Sequence, residues 1–198
     1  MTRLILASAS VVRARLLASA GIAFDIVPAR VDEDAVKESL LAQKTPFRGI
    51  ADALAELKAV RVSGSHPGAL VLGADQVLVF ENTLVSKSAG IPEARALLHK
   101  MRGRKHELIG AAVLAKDGVA LWRHVDSSTL TMRTFSDAFL EEYLAREGEA
   151  VLGSVGCYHL EAVGAQLFSS ITGDYFSILG LALIPLLAVL RDQGAIPS

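Results

Sequence analysis

An aspartate stands inside the most apolar strand-like stretch of this sequence. "ALVLGADQVLVF" (69–80) carries Asp75 between Gly73-Ala74 and Gln76. An ionised carboxylate in such surroundings is costly unless it is paired or coordinated. Asp75 is therefore a candidate for chemistry, as a proton acceptor or as an oxygen ligand to a cation. Other residues of matching chemistry are spread along the chain. Lys58 interrupts the inward side of a helical pattern, and Lys87 follows an apolar strand. Asp32-Glu33-Asp34 would compensate a helix dipole or offer hard oxygens to Mg²⁺. In "LASASVVRARLL" (6–17), Ser8, Ser10 and Arg13 lie where a strand gives way to a helix. There they would serve as caps beside a solvated arginine, or as a phosphate cradle built on free N–H groups and a guanidinium.

These residues need elements to hold them. Hydrophobic patterning predicts strands at 3–8, 24–31 and 69–80, and a hairpin of 106–115 with 119–125 turning at Lys116-Asp117-Gly118. Further strands are expected at 128–133, around Tyr158–Glu161 and around Gln166–Phe168. Helices are expected at 11–20, 35–42, 46–63, 92–102, 136–147 and 183–193. In the third of these, Thr45 is a possible cap, Pro46 the first helical residue, and Ile50, Leu54, Leu57 and Val60/Arg61 the inward stripe. Strands and helices alternate along 198 residues, long enough for one α/β domain with a mixed extended central sheet flanked by helices.

Composition narrows the function classes. A net charge of −1 with no basic run argues against an extended nucleic acid partner. The tail "FSILGLALIPLLAVL" (176–190) imitates a membrane span but is broken by Gly180 and Pro185, so a core helix is expected and no membrane partner. The lone Cys157 fits a reducing cytoplasm and a buried, small apolar role. The N-terminus lacks the pattern of an export signal. The five histidines show no zinc spacing, and no Walker loop, dinucleotide fingerprint or nucleophile elbow is present.

Taken together, "LASASVVRARLL", "VDE" (31–33), "LAELKA" (54–59), "GADQV" (73–77), "SK" (86–87), "GRKH" (103–106), "VGCYHLE" (155–161), "GAQLF" (164–168) and "GDYFSILGL" (173–181) resemble the Maf family of nucleoside triphosphate pyrophosphatases. The resemblance runs in order over essentially the whole chain, 1–198, as a single domain. It implies a homodimeric, cytoplasmic enzyme with two lobes around a deep cleft. Such an enzyme splits a nucleoside triphosphate between the α and β phosphates with Mg²⁺ or Mn²⁺. It further implies Asp75 as the proton acceptor, Glu33 with Asp75 at the metal, and Ser8, Ser10, Arg13, Lys58 and Lys87 at the phosphates. Val12, Gln76 and Glu161 match positions linked to base selection.

Gln76 and Glu161 are similar to the branch acting on 7-methyl-GTP rather than to the dTTP/UTP branch. A carboxylate at 161 would accept from the N1–H and amino edge of a guanine, whereas thymine offers one such donor. Val11, Val12, Ser88, Gly110 and Ala182 depart from the residues usual in the family, and none of these changes removes the acid or the lysines. Two other readings remain at this stage: a non-catalytic nucleotide-binding regulator linked to cell division, and a phosphatase for another phosphorylated metabolite.

Overall fold

The computed structural model describes residues 2–197. Among them the chain forms β1 (Leu4–Leu6), α1 (Val11–Ser19), β2 (Asp25–Ile26), α2 (Glu33–Ala42), α3 (Phe47–Ser63), β3 (Leu70–Phe80), β4 (Thr83–Val85) and α4 (Ile91–Met101). It continues through β5 (Lys105–Lys116), β6 (Val119–Met132), α5 (Asp137–Glu147), β7 (Phe168–Thr172), α6 (Tyr175–Ile178) and α7 (Leu183–Asp192), with 3₁₀ turns at Gly148–Gly153 and Val163–Leu167. The described strands make one mixed sheet in the order β2-β1-β3-β5-β6-β7, with β4 antiparallel to β3. This is the mixed α/β architecture expected from the sequence, with helices flanking the sheet.

The chain divides into two compact units. The first comprises Met1–Gln76, Ile109–Asp126 and Tyr175–Ser198. Here β1 runs parallel to both β2 and β3, with Leu4, Ile5 and Leu6 opposite Leu70, Val71 and Leu72. Strand alternation sorts these residues onto two faces. Leu4, Leu6, Leu70, Leu72 and Ala74 pack with Leu17 and with Leu183, Leu186 and Leu190 of α7. Ile5, Ala7, Ala69 and Val71 pack on the other face with Val62 of α3. The apolar tail is thus the short α6, a break and the core helix α7, and no helix among the described residues is long and apolar enough to cross a membrane. In the β5–β6 hairpin, Asp117 and Gly118 both take positive φ, 51° and 81°, the paired left-handed geometry of a tight two-residue turn.

The second unit comprises Val77–Leu108 and Ser127–Asp174. Its core includes Leu98, Met101, Leu130, Met132, Leu140, Tyr143 and Leu167, all nearly fully buried. β6 pairs antiparallel with β7 through a register shift at Thr131/Met132.

Several predicted elements are redrawn. The 24–31 strand shrinks to Asp25–Ile26, because Pro28 has no N–H to give a ladder and Arg30 takes a φ of 48°. No strand forms at Tyr158–Glu161, and 3₁₀ turn replaces strand up to Leu167. Cys157 takes a φ of 57° there, a bend that an extended strand cannot contain. Pro46 is the N-cap of α3 rather than its first residue, and no side chain caps that helix. The inward face of α3 keeps Ile50 and Leu54 of the expected stripe but continues through Ala51, Ala55, Lys58, Ala59, Val62 and Ser63, while Leu57 lies at the surface.

Candidate functional site

Lys58 lies on the inward side of α3, as its place in the helical pattern predicts. That side approaches β3 closely. A Cβ on Gly73 would fall 2.2 Å from the Ala55 carbonyl oxygen and 2.6 Å from the Ala59 nitrogen, so only glycine lets helix and strand come this close. Two residues on, and therefore on the same face of the strand, Asp75 meets Lys58. Lys58 Nζ lies 2.7 Å from Asp75 Oδ1 and 2.7 Å from Glu33 Oε1. Asp75 and Lys58 are 4% and 7% exposed, so this pair sits out of bulk water.

The acidic run at 32–34 divides its work. Asp32 is the N-cap of α2, its carboxylate accepting from the Ala35 N–H at 3.1 Å. Glu33 turns to Lys58, and Asp34 lies at the surface beside Lys37.

Ser8, Ser10 and Arg13 form the adjoining part of the first unit. Ser10 caps α1 by accepting from the Arg13 N–H at 3.3 Å, and the Ser8 hydroxyl accepts from the Ser10 N–H at 3.2 Å. The capping reading therefore holds for Ser10. The guanidinium of Arg13 is not left to solvent. It donates to the carbonyls of Gly180 at 2.8 Å and Ala74 at 2.9 Å and to Ser8 Oγ at 3.2 Å. Its bond to the Ala74 carbonyl fixes the peptide preceding Asp75. Sequence patterns carry no trace of these anchors, because backbone carbonyls have no residue type. On the same face as Ala74, Gln76 donates through Nε2 to the carbonyls of Ser177 (2.9 Å) and Ile178 (3.1 Å). Two carbonyls occupy the N–H groups of the amide, and Oε1 is its acceptor. Asp126, another residue that sequence reasoning missed, accepts from the Ser177 hydroxyl. Val12 is half-buried in the first turn of α1.

Electrostatics distinguish the two carboxylates. Burial pushes the pKa of Asp75 above its ordinary value despite the opposing pull of Lys58 and Arg13. Burial acts on Glu33 too, but there the Lys58 hydrogen bond and charge prevail and hold the pKa below the usual range. The second oxygen of Asp75, Oδ2, is buried with no hydrogen-bond partner. A carboxylate of raised basicity with a bare buried oxygen is suited to take a proton from a water molecule. It also suits a hard cation. No group of three or more His, Cys, Asp or Glu among the described residues is arranged to hold a metal. Glu33 and Asp75, both at the Lys58 ammonium, are the carboxylates here that could serve an ion of the kind that takes one or two carboxylates together with phosphate oxygens.

The remaining predicted residues belong to the second unit. Lys87 and Glu161 are both exposed there. Lys87 precedes Ser88, whose Oγ lies 3.2 Å from the buried Sγ of Cys157. The Tyr143 hydroxyl donates to the Cys157 carbonyl at 3.0 Å, and the Tyr158 hydroxyl pairs with His106 Nε2 at 2.7 Å. Burial pushes the His106 pKa down to about 4, so this ring is neutral near pH 7. These buried contacts anchor the 157–158 turn that leads to Glu161.

The sequence model of a family described as Maf-like protein matches residues 3–193. A protein of Caulobacter vibrioides named nucleoside triphosphate pyrophosphatase is 53% identical over 99% of this chain and 98% of its own length. Proteins of the same name from Granulibacter bethesdensis and Paramagnetospirillum magneticum are 52% and 51% identical. The matches cover 98% and 96% of this chain, and 98% and 97% of those proteins.

Proposed function

Because the chain belongs to the Maf family, we propose that it hydrolyses nucleoside triphosphates between the α and β phosphates, releasing the monophosphate and pyrophosphate. The observation that carries this reading is Asp75: buried, paired through one oxygen with Lys58, and bare at the other. Asp75 Oδ2 accepts the proton of the attacking water. Lys58 and Arg13 hold positive charge beside it, and with Ser8, Ser10 and Lys87 they are assigned to the phosphates. A Mg²⁺ or Mn²⁺ ion held by Glu33, Asp75 and phosphate oxygens would neutralise charge developing on the triphosphate. Homodimerisation and a cytoplasmic location enter on the family resemblance alone.

For the base we propose a guanine-type or 7-methylguanine triphosphate, with Val12, Gln76 and Glu161 in its selection. Gln76 spends its amide N–H groups on two carbonyls and has an acceptor left, and Glu161 is itself an acceptor. Guanine offers donors at N1–H and its amino group, so an acceptor at either position suits it better than thymine, which offers one such donor.

The test is a panel of 7-methyl-GTP, GTP, UTP and dTTP with Mg²⁺ or Mn²⁺, reading pyrophosphate and orthophosphate separately. Pyrophosphate release is expected. Binding without release would favour a regulator, and orthophosphate as the first product a phosphatase. In the same panel, Glu161→Gln is expected to change the ratio of guanine to pyrimidine kcat/KM by roughly tenfold, with the inhibition constant of inorganic triphosphate unmoved. An unchanged profile would remove Glu161 from base selection.

The pH profile provides a further check. Asp75 must be ionised to accept a proton, and burial raises its pKa. Activity is therefore expected to fall on acidification at a pH above the ordinary aspartate range of about 3.9. An acid limb at or below that range would contradict the role.

A further inference from the structure

The two carboxylates of the candidate site are already neutralised without any metal. Lys58 Nζ stands 2.7 Å from an oxygen of each, and the Arg13 guanidinium adds a second positive charge acting on both. Two anionic and two cationic side chains leave no net negative charge to attract a free dication. A divalent ion placed on Glu33 and Asp75 would also face the Lys58 ammonium at close range. Yet Asp75 Oδ2 is buried, 4% exposed at the residue level, and bare, so an oxygen suited to a cation is present. What is missing is a reason for Lys58 to let go.

A triphosphate supplies that reason. Its oxygens offer the ammonium new partners of higher charge density, and they complete the shell of an ion that two carboxylates cannot hold by themselves. We propose that Lys58 is a resident counter-cation that keeps Glu33 and Asp75 closed to divalent ions until a triphosphate draws it away, so that metal and nucleotide bind together. This proposal rests on the pyrophosphatase reading for the identity of the ligand, and on the Lys58 geometry alone for the closed state. It adds to the lysine's contact with the phosphates the role of setting binding order. The enzyme would accept the metal–triphosphate complex and ignore the free ion.

The test is Mn²⁺ binding followed by electron paramagnetic resonance, independent of turnover. Nucleotide-free wild-type protein is expected to leave the spectrum of the free aquo ion unchanged. Adding a non-hydrolysable α,β-methylene triphosphate should yield a protein-bound Mn²⁺ signal. Lys58→Met removes the resident charge while filling its volume. It should bind Mn²⁺ without nucleotide roughly tenfold or more tightly than wild type. Wild type binding Mn²⁺ alone as tightly as Lys58→Met would overturn the proposal. So would a Lys58→Met protein with native circular dichroism that gains no Mn²⁺ binding. Should that variant fail to fold, Lys58→Gln replaces it, and Mn²⁺ binding to nucleotide-free wild type is decisive in either case. Failure to release pyrophosphate from any triphosphate, with these Mn²⁺ results intact, would sink the proposed activity and leave the closed site standing.

Discussion

Asp75→Asn is expected to lower kcat by on the order of 10³-fold while the protein keeps its fold. The amide preserves the volume and leaves Lys58 its partner Glu33 at 2.7 Å, but it cannot accept a proton. Stability should move little, or rise. The folded-state pKa of Asp75 is raised, so the folded protein binds the carboxyl proton more tightly than the unfolded chain does. Ionisation therefore costs folding free energy as pH rises through the raised pKa, and Asn at this position carries no such cost. Steady-state kinetics with thermal melts at two pH values provide the check. A folded variant retaining a tenth or more of wild-type kcat would remove Asp75 from the proton-accepting role.

Gly73→Ala is expected to damage fold and activity together. The added methyl would lie 2.2 Å and 2.6 Å from backbone atoms of Ala55 and Ala59, and backbone cannot swing aside as a side chain can. α3 must move off β3, at a cost of about 3 kcal/mol or more. That movement draws Lys58 away from Asp75, so whatever protein folds should be nearly inactive. Ala53→Gly in the same helix serves as a control, since residue 53 is not among the buried residues of α3. It should cost about 1 kcal/mol through helix propensity alone and leave kcat intact. A Gly73→Ala protein with wild-type melting temperature and activity would refute the close helix–strand contact as the device that positions the site.

Much of this arrangement was legible in the residues, and the exceptions have physical causes. Asp75 was visible because a carboxylate has no other reason to stand in an apolar strand. Gly73 sat beside it without announcing its purpose, since the helix that demands it lies some twenty residues away in sequence. Lys58 was legible as a polar residue on the inward side of its helix, and Ile50 and Leu54 beside it are buried as expected, whereas Leu57 is exposed. Where the helix meets Gly73 the face is made by Ala55 and Ala59, small residues whose weak hydrophobic signal hides a close approach. Arg13 was legible as a cation near a helix start, but its partners are the carbonyls of Ala74 and Gly180. In the second unit, a short strand is expected around Tyr158–Glu161. Yet the Cys157 carbonyl is held by Tyr143 and the Tyr158 hydroxyl by His106, and these tertiary bonds bend the chain instead.

The central claim is cleavage between the α and β phosphates by a site organised around Asp75. The most direct measurement is the product ratio from a purine triphosphate such as 7-methyl-GTP or GTP, with Asp75→Asn run in parallel. The account predicts nucleoside monophosphate and pyrophosphate in equal amounts from wild type, no early orthophosphate, and neither product from the variant above background. Orthophosphate with nucleoside diphosphate as the first products, or equal product formation by wild type and Asp75→Asn, would contradict it.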